Sequence, residues 1–174
     1  LKPDSLEVSA KLAQLYQMKG SVAEARTHYT TLAEQYTRTG KKAEALNVWK
    51  QIANLDPNNT DIYLKIADAC WQDQQKEEAA NAYIEAGNRL TTKNQFESAI
   101  TAFSRALEIR PDDLPALRGY VTSQIGLGYA DEAAKSLESS LVRQPHSREI
   151  INLLADCYIE AGKLADAEQT IVKL

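Results

Sequence analysis

The most constraining feature of this sequence is an alanine that recurs at two fixed spacings. Equivalent alanines stand at Ala25, Ala45, Ala79, Ala99, Ala133 and Ala167, with a short step of 20 (45 − 25) or a long step of 34 (79 − 45) between neighbours. Four residues after each alanine comes a large apolar side chain, and five residues before it comes Gly, Asn or, once, Gln. Such a period indicates a chain that builds its core by stacking similar units.

The segment from Gly40 to Asn59 shows how one unit reads. Gly40 suits the left-handed position that ends a preceding helix, and Ala45 and Trp49 then share one helical face. Pro57 stops that helix, because proline cannot continue it. Applied along the chain, this pattern predicts helices over residues 5–18, 21–38, 41–54, 60–73, 76–92, 95–109, 114–127, 130–143, 147–161 and 164–174.

These positions resemble the tetratricopeptide repeat (TPR), a 34-residue helix–turn–helix unit. The signature matches at Leu12, Ala13, Tyr16, Gly20, Ala25 and Tyr29, and again at Leu154, Ala155, Tyr158, Gly162 and Ala167. The resemblance implies an all-α, right-handed α-solenoid of about ten antiparallel helices. Gln74, in place of a turn glycine, and the pair Tyr120-Val121 depart from the pattern, which leaves the local geometry open there.

The repeat also predicts how the chain is organised. Residues 6–59 and 60–113 align without a gap as two 54-residue blocks, each read as three helices with a shared middle helix. Two hairpins of 34-residue type follow, 114–147 and a truncated 148–174, so that residues 1–174 form a single solenoid domain. Both ends are expected to be cuts in a longer array.

Composition narrows the classes of partner and compartment. The net charge of −4 argues against nucleic acid or anionic membrane as a partner. No apolar run approaches the roughly 20 residues that span a bilayer. Cys70 and Cys157 are expected to pack inside helices as small apolar residues. Together these features predict a reduced, cytoplasmic location.

The sequence offers no constellation for catalysis. Its two histidines, His28 and His146, have no cysteine at metal-ligand spacing. Phosphate-binding glycine loops and the H-E-x-x-H zinc motif do not occur. The prediction is a protein that is not an enzyme and that holds no cofactor or metal.

The resemblance to TPR proteins implies a binding face instead. In that family the first helix of each hairpin lines a concave groove, which binds extended peptides or partner helices. The matching positions chosen as partner-binding residues are Gln14, Gln17, Asp61, Leu64, Asp68, Trp71, Arg118, Thr122, Asn152 and Asp156. Further positions on the same face are Glu7, Ala10, Ile125, Glu149 and Ile159.

Trp71 is the preferred anchor of this face, with packing against the next hairpin as the alternative. Acidic residues outnumber basic ones along the face, so a basic or mixed peptide would fit it electrostatically, with a merely solvated face as the alternative. The basic clamp with which chaperone-binding repeats grip a terminal carboxylate has no match here, where only Lys65 and Arg118 are basic.

The leading hypothesis is therefore a protein–protein interaction scaffold that binds a peptide or partner helix in its groove. One alternative is a non-catalytic regulatory or substrate-recruiting arm of a larger enzyme. The other is a self-assembling array that associates through exposed solenoid ends, where Leu164, Ile171 and Leu174 are expected to face solvent.

Overall fold

The computed structural model describes residues 3–57 and 59–172, and in these residues the chain forms ten α-helices and no β-strand. The helices are α1 (Pro3–Met18), α2 (Val22–Arg38), α3 (Lys42–Leu55), α4 (Thr60–Gln72), α5 (Lys76–Thr92), α6 (Phe96–Ile109), α7 (Leu114–Gly126), α8 (Ala130–Arg143), α9 (Arg148–Glu160) and α10 (Leu164–Ile171). The all-α class and the number of helices agree with the prediction.

Helix bounds differ from the predicted ones by at most two residues at every end except the last. Several helices begin one residue later than expected, because the residue before them occupies the N-cap position. The exception is α10, which ends at Ile171 and not at Leu174, with Val172 in a turn. Leu174 itself lies outside the described residues.

The six turn positions that precede the recurrent alanines all adopt the left-handed backbone. Four are glycines, while Gln74 has a φ of 61° and Asn94 a φ of 57°. Gln74 therefore keeps the geometry of a turn glycine, at a cost of about 1 kcal/mol for a side chain in this region. The same closing hydrogen bond appears at these turns, for example from the Gln75 N–H to the Cys70 carbonyl at 2.9 Å.

The sequence predicts N-cap side chains at Asp4-Ser5, Asn59-Thr60, Asp112-Asp113 and Ser147. Two of these caps are confirmed and one is wrong. Asp113 accepts a hydrogen bond from the Ala116 N–H at 2.9 Å, and Ser147 accepts one from Ile150 at 3.4 Å. Asn59 has the extended backbone of an N-cap, but its side chain makes no capping hydrogen bond. The side chains of Asp4 and Ser5, also predicted as caps, lie outside what the structure describes.

Two compact units divide the chain, Leu1–Ala82 and Tyr83–Leu174, and each packs through helices that are neighbours in sequence. In the first unit α2 packs on both α1 and α3, and α3 packs on α4. In the second unit α7 packs on α6, α8 and α9, and α9 packs on α10. A single domain over residues 1–174 stays a prediction.

Each unit has its own apolar core. In the first unit Ala25, Tyr29, Trp49 and Ile52 are almost completely buried. A cluster in the second unit joins α7, α8 and α9 and includes Leu117, Val121, Leu137, Ile150 and Leu154. The recurrent alanines lie in these cores because a small side chain lets neighbouring helices approach closely.

The helix bounds repeat from the first predicted block to the second. A shift of 54 residues (60 − 6) aligns the second block with the first. After this shift, α5, α6 and α7 begin and end at the same positions as α2, α3 and α4. Aligned residues in these segments therefore hold the same place in their helices.

Cys70 and Cys157 are free thiols buried in α4 and α9, as the sequence predicts. Burial raises the pKa of the Cys70 thiol, although the positive charge of Lys50 opposes the shift. Burial, helped by the negative charge of Asp156, raises the pKa of the Cys157 thiol to about 11. Both thiols therefore stay protonated and unreactive near neutral pH.

Candidate functional site

The first unit carries an open groove between α2 and α4, with α3 behind it. We call this the first groove; its volume is about 320 Å³. Its lining residues are Glu34, Thr37, Arg38, Trp49, Lys65, Asp68, Ala69 and Gln72. Helices α2 and α4 supply the walls, and Trp49 of α3 contributes an aromatic surface.

Lys65 partly fills the first groove. Its ammonium lies 4.6 Å from the centre of the Trp49 ring, a cation–π contact. The same ammonium lies 3.6 Å from a carboxylate oxygen of Glu34 on the opposite wall. With Arg38 and Asp68 also present, the lining holds two acidic and two basic side chains, so its formal charge is zero.

The second unit carries an equivalent groove between α5 and α7. We call this the second groove; its volume is about 590 Å³. Its lining residues are Asn88, Thr91, Thr92, Leu114, Pro115, Arg118, Gly119 and Thr122. Five of them align with lining residues of the first groove: Asn88 with Glu34, Thr91 with Thr37, Thr92 with Arg38, Gly119 with Lys65, and Thr122 with Asp68.

Phe103 of α6 lies beneath the second groove, at the position that Trp49 holds in α3. The ring is fully buried because two glycines leave room for it. A Cβ atom at Gly87 would lie 2.7 Å from the Phe103 ring, and one at Gly119 would lie 2.1 Å from it. At Gly119 the Phe103 ring therefore takes the place where a Cβ atom would stand, whereas Lys65 at the aligned position carries a long side chain into the first groove.

A hydroxyl pair joins the two walls of the second groove. The Thr91 hydroxyl lies 3.1 Å from the Ser123 hydroxyl. Each hydroxyl also lies within hydrogen-bond distance of a carbonyl in its own helix, Thr91 at 2.9 Å from that of Gly87 and Ser123 at 2.8 Å from that of Gly119, so one hydroxyl donates to its carbonyl while the other can donate across the groove. These bonds hold α5 and α7 at a fixed separation.

Three polar side chains of the second groove are unengaged, whereas the Thr92 hydroxyl donates to the Arg89 carbonyl at 2.8 Å. Asn88, Arg118 and Thr122 are exposed, and none of them makes an ion pair or side-chain hydrogen bond with any residue that the structure describes. Arg118 is the one charged side chain among the lining residues, all of which are described. The groove therefore presents an uncompensated positive charge.

Nine of the ten predicted partner-binding residues are exposed, and Leu64 is half-buried. The structure brings Asp68 into the first groove and Arg118 and Thr122 into the second. The others do not line either groove: Gln14, Gln17, Asp61, Leu64, Trp71, Asn152 and Asp156. Gln17 instead accepts a hydrogen bond from the Tyr29 hydroxyl at 2.8 Å, which ties α1 to α2.

Trp71 is 48 % exposed, whereas Trp49 is 4 % exposed. The alternative of a core tryptophan therefore describes Trp49 and not Trp71. Trp71 lies three residues after Asp68 on α4, one helical turn from the first groove. An exposed indole in this position is available to a partner.

Sequence reasoning missed the walls that α2 and α5 contribute. Glu34 and Arg38 in the first groove, and Asn88 and Thr92 in the second, are not among the predicted residues. The signal that could have found them is the alignment of the two blocks, which pairs Thr37 with Thr91 in these walls. The middle helix of each block is predicted to be shared between two repeats, and the prediction of a binding face therefore includes only the first helix of each hairpin.

The part of the chain that the structure describes gives no indication of a metal site or of a membrane-spanning helix. Across the described residues, His, Cys, Asp and Glu side chains do not gather in any group of three that could hold a metal ion. In that same part of the chain, none of the helices combines the length and apolarity needed to cross a bilayer.

The fold and its paired grooves define a helical-repeat protein. Three family models described as tetratricopeptide repeat match residues 30–89, 80–113 and 127–174. The chain belongs to the tetratricopeptide repeat family. Repeats of this family generally act as interaction modules, so the coarse function is a protein-interaction scaffold with a protein or peptide partner.

Solved structures share the fold at low sequence identity. The TPR-like repeats of a candidate kinesin light chain from Podosopora anserina are 16 % identical, with a TM-score of 0.60 over 99 % of this chain and 94 % of that chain. A MamA protein is 19 % identical, with a TM-score of 0.50 over 87 % of this chain and 90 % of that one. At these identities the likeness concerns the fold alone. A search of the curated proteins finds no match.

Proposed function

We propose that this protein is a scaffold that binds an extended segment or a helix of a partner protein in its first and second grooves, and that it performs no chemistry of its own. The observation that carries this proposal is the recurrence of an open groove at equivalent positions in both units. A peptide that contacts several helices at once gains affinity without a single deep pocket.

The dimensions and stiffness of the grooves suit this role. Volumes of about 320 and 590 Å³ fall in the range of small binding clefts. Helices form the walls, so little conformational entropy is lost when a ligand binds. Charged and hydroxyl groups at the edges can orient a peptide, while apolar carbons beneath them take up side chains.

The face of α4 adds an anchor to the first groove. Trp71 is half-exposed, and Asp61 and Asp68 are exposed on the same helix. A partner with a basic residue could pair with these carboxylates while an apolar residue packs on the indole. The zero formal charge of the first groove fits the mixed type of peptide as well.

The test is selection of binders from a displayed library of random twelve-residue peptides. Selected peptides are then measured by fluorescence anisotropy against the parent protein and the double variant Asp68→Lys, Trp71→Ala. We expect the double variant to bind at least about tenfold more weakly, since it removes an aromatic anchor and reverses a charge. Circular dichroism checks that the variant keeps its helices.

A matched control is the double variant Asn47→Lys, Gln51→Ala, because both residues are exposed on α3 and line neither groove. It should bind like the parent. Equal binding by the parent and by Asp68→Lys, Trp71→Ala would remove the site from this face. A library that yields no binder to the parent would contradict the proposed function itself.

Self-association is a second candidate, favoured by exposed apolar side chains near both ends of the described chain. On α1, Val8 is 55 % exposed and Leu15 is 48 % exposed; on α10, Leu164 is 67 % and Ile171 is 47 % exposed. Sedimentation velocity over a hundredfold concentration range, with Leu15→Asp as the variant, tests it. A parent that stays monomeric throughout would dismiss it.

Two other predictions stay predictions. The role of a non-catalytic arm in a larger enzyme has no specific observation in its favour among the described residues. The cytoplasmic location also stays a prediction, because a fold does not determine the compartment of a protein.

A further inference from the structure

We propose that the second groove is a subsite for a glutamate or aspartate side chain of the partner, with the neighbouring apolar side chain of the partner held on the groove floor. This inference rests on the proposed function and gives the second groove a ligand of definite chemistry. It also makes the two grooves selective for different partner sequences.

The charge of the second groove points to a carboxylate. Arg118 is the only charged residue of α7, and it has no partner among the described residues. The nearest acidic residue before α7 in the sequence is engaged elsewhere, since Asp113 pairs with Arg110 at 3.0 Å. A guanidinium left unpaired beside an apolar surface attracts a carboxylate, with which it forms two parallel hydrogen bonds.

The neutral donors complete the subsite. Thr122 lies one turn after Arg118 on α7, and Asn88 stands on the opposite wall in α5. An ionised carboxylate can accept about four hydrogen bonds, so the Arg118 fork, the Asn88 amide and the Thr122 hydroxyl together can satisfy it. A single guanidinium balances a monoanion and leaves half the charge of a phosphate dianion uncompensated, which favours the carboxylate.

The floor accepts the adjacent residue of the partner. Leu114 and Pro115 give apolar surface, and Gly119 adds no side chain to the lining. A phenylalanine or leucine beside the acidic residue would bury its side chain there and gain hydrophobic stabilisation.

The first groove lacks this subsite. The residues that align with Arg118 and Thr122 are Leu64 and Asp68. A carboxylate there would face Asp68, and the guanidinium of that groove, Arg38, stands on the α2 wall and not beside Asp68 on α4. The substitutions Arg118→Leu and Thr122→Asp give α7 the residues found at the aligned positions of α4.

The experiment uses three fluorescein-labelled peptides, each with a central Phe followed by the test residue between Gly and Ser spacers. One carries Glu with an amidated end, one carries Gln with an amidated end, and one carries Gln with a free terminal carboxylate. Anisotropy gives the affinities, and the Arg118 side-chain N–H signal in NMR reports contact at the subsite.

We expect the Glu peptide to bind the parent about tenfold more tightly than the amidated Gln peptide and to shift the Arg118 signal. Arg118→Leu should erase the difference between the two peptides, while Leu64→Ala, the matched control at the aligned position of α4, should keep it. Equal affinity of the parent for Glu and Gln peptides would overturn the inference. So would preference for the free terminal carboxylate, or an unmoved Arg118 signal.

Failure of this inference and failure of the proposed function give different results. If peptides selected from the random library bind the parent and lose affinity in Asp68→Lys, Trp71→Ala, the scaffold function holds whatever the Glu peptide does. If the library also gives no binder, the proposed function fails together with the subsite.

Discussion

The two grooves share one backbone plan and differ in chemistry. Their walls come from helices that have the same bounds in the two aligned blocks, yet one lining has four charges that balance and the other has a single positive charge. In the first groove Lys65 lies over Trp49, while in the second Gly119 has no side chain and the Phe103 ring packs directly against it. The repeat spacing therefore determines where a groove forms, whereas a few lining residues determine the charge and the shape of that groove.

The strongest way to break this comparison is to place a methyl group at Gly119. Alanine is favoured over glycine in a helix by about 1 kcal/mol, but its Cβ would lie 2.1 Å from the enclosed Phe103 ring. Since overpacking typically costs about 1–3 kcal/mol and this overlap is severe, we expect Gly119→Ala to lower the free energy of unfolding by about 2 kcal/mol. Urea denaturation followed by circular dichroism measures it.

The control for that variant is Gly119→Ala combined with Phe103→Leu. If the overlap with the ring is the cause, the two substitutions should be strongly non-additive, and the double variant should lose less than the sum of the single losses. A Gly119→Ala protein more stable than the parent would show that the floor of the second groove has room to spare.

Buried thiols extend the comparison between the two units to pH. The pKa of Cys157 is raised to about 11 from its ordinary value of 9.0. Above pH 9 the unfolded chain releases this proton while the folded chain keeps it, so stability falls as pH rises from about 9 to about 11. We expect a loss on the order of 2 kcal/mol relative to Cys157→Ala, which lacks the group.

Unfolding by urea at a series of pH values, in the parent and in Cys157→Ala, isolates this thiol from the lysines and tyrosines that titrate in the same range. Cys70→Ala gives the matched comparison in the first unit. The stability difference between the parent and Cys70→Ala should shift with pH in the same direction, because burial, helped by Glu78 and Asp73 and opposed by Lys50, also raises the pKa of Cys70. Parallel stability curves for the parent and Cys157→Ala would contradict the prediction.

The smallest expected effect comes from Lys65→Ala in the first groove. It removes the contact with the Trp49 ring and the ion pair with Glu34, both of which are made by a partly exposed ammonium. Such contacts contribute little, so we expect a loss of about 0.5 kcal/mol. The clearer sign should be optical, because the Trp49 ring becomes open to solvent.

To follow Trp49 alone, the measurement uses a Trp71→Phe background and acrylamide quenching of tryptophan emission. Lys65→Ala should increase the quenching constant, while Lys65→Arg, which can still cover the ring, should not. An unchanged constant in Lys65→Ala would mean that other side chains shield Trp49.

Local signals explain why so much of the fold could be predicted. Glycine or asparagine at a left-handed turn and proline after a helix act within a few residues, so they fix helix ends without reference to the rest of the chain. Gln74 is an example. A glutamine does not by itself predict a left-handed turn, but its position five residues before the recurrent Ala79 does. Helical periodicity also placed Trp71 away from the apolar stripe of α4, but it left packing against the next hairpin open.

The groove chemistry could not be predicted in the same way. Contact between Lys65 of α4 and Glu34 of α2 joins helices that are not consecutive in the sequence, and it depends on how far apart those helices settle. The depth of the second groove depends on Phe103 sinking between Gly87 and Gly119. The failure at Asn59 has a related cause, since the backbone is suitable for a cap while the side-chain rotamer is not.

The recurrence of α2, α3 and α4 in α5, α6 and α7 has a consequence for how such a chain can evolve. A duplicated segment brings a complete groove with it, together with the turns and small residues that position it. Because the framework residues are separate from the lining residues, one copy can exchange Leu64 for arginine, or Lys65 for glycine, while the other keeps its original ligand. Duplication of such a segment inside a single chain thus yields two grooves whose lining residues can change independently.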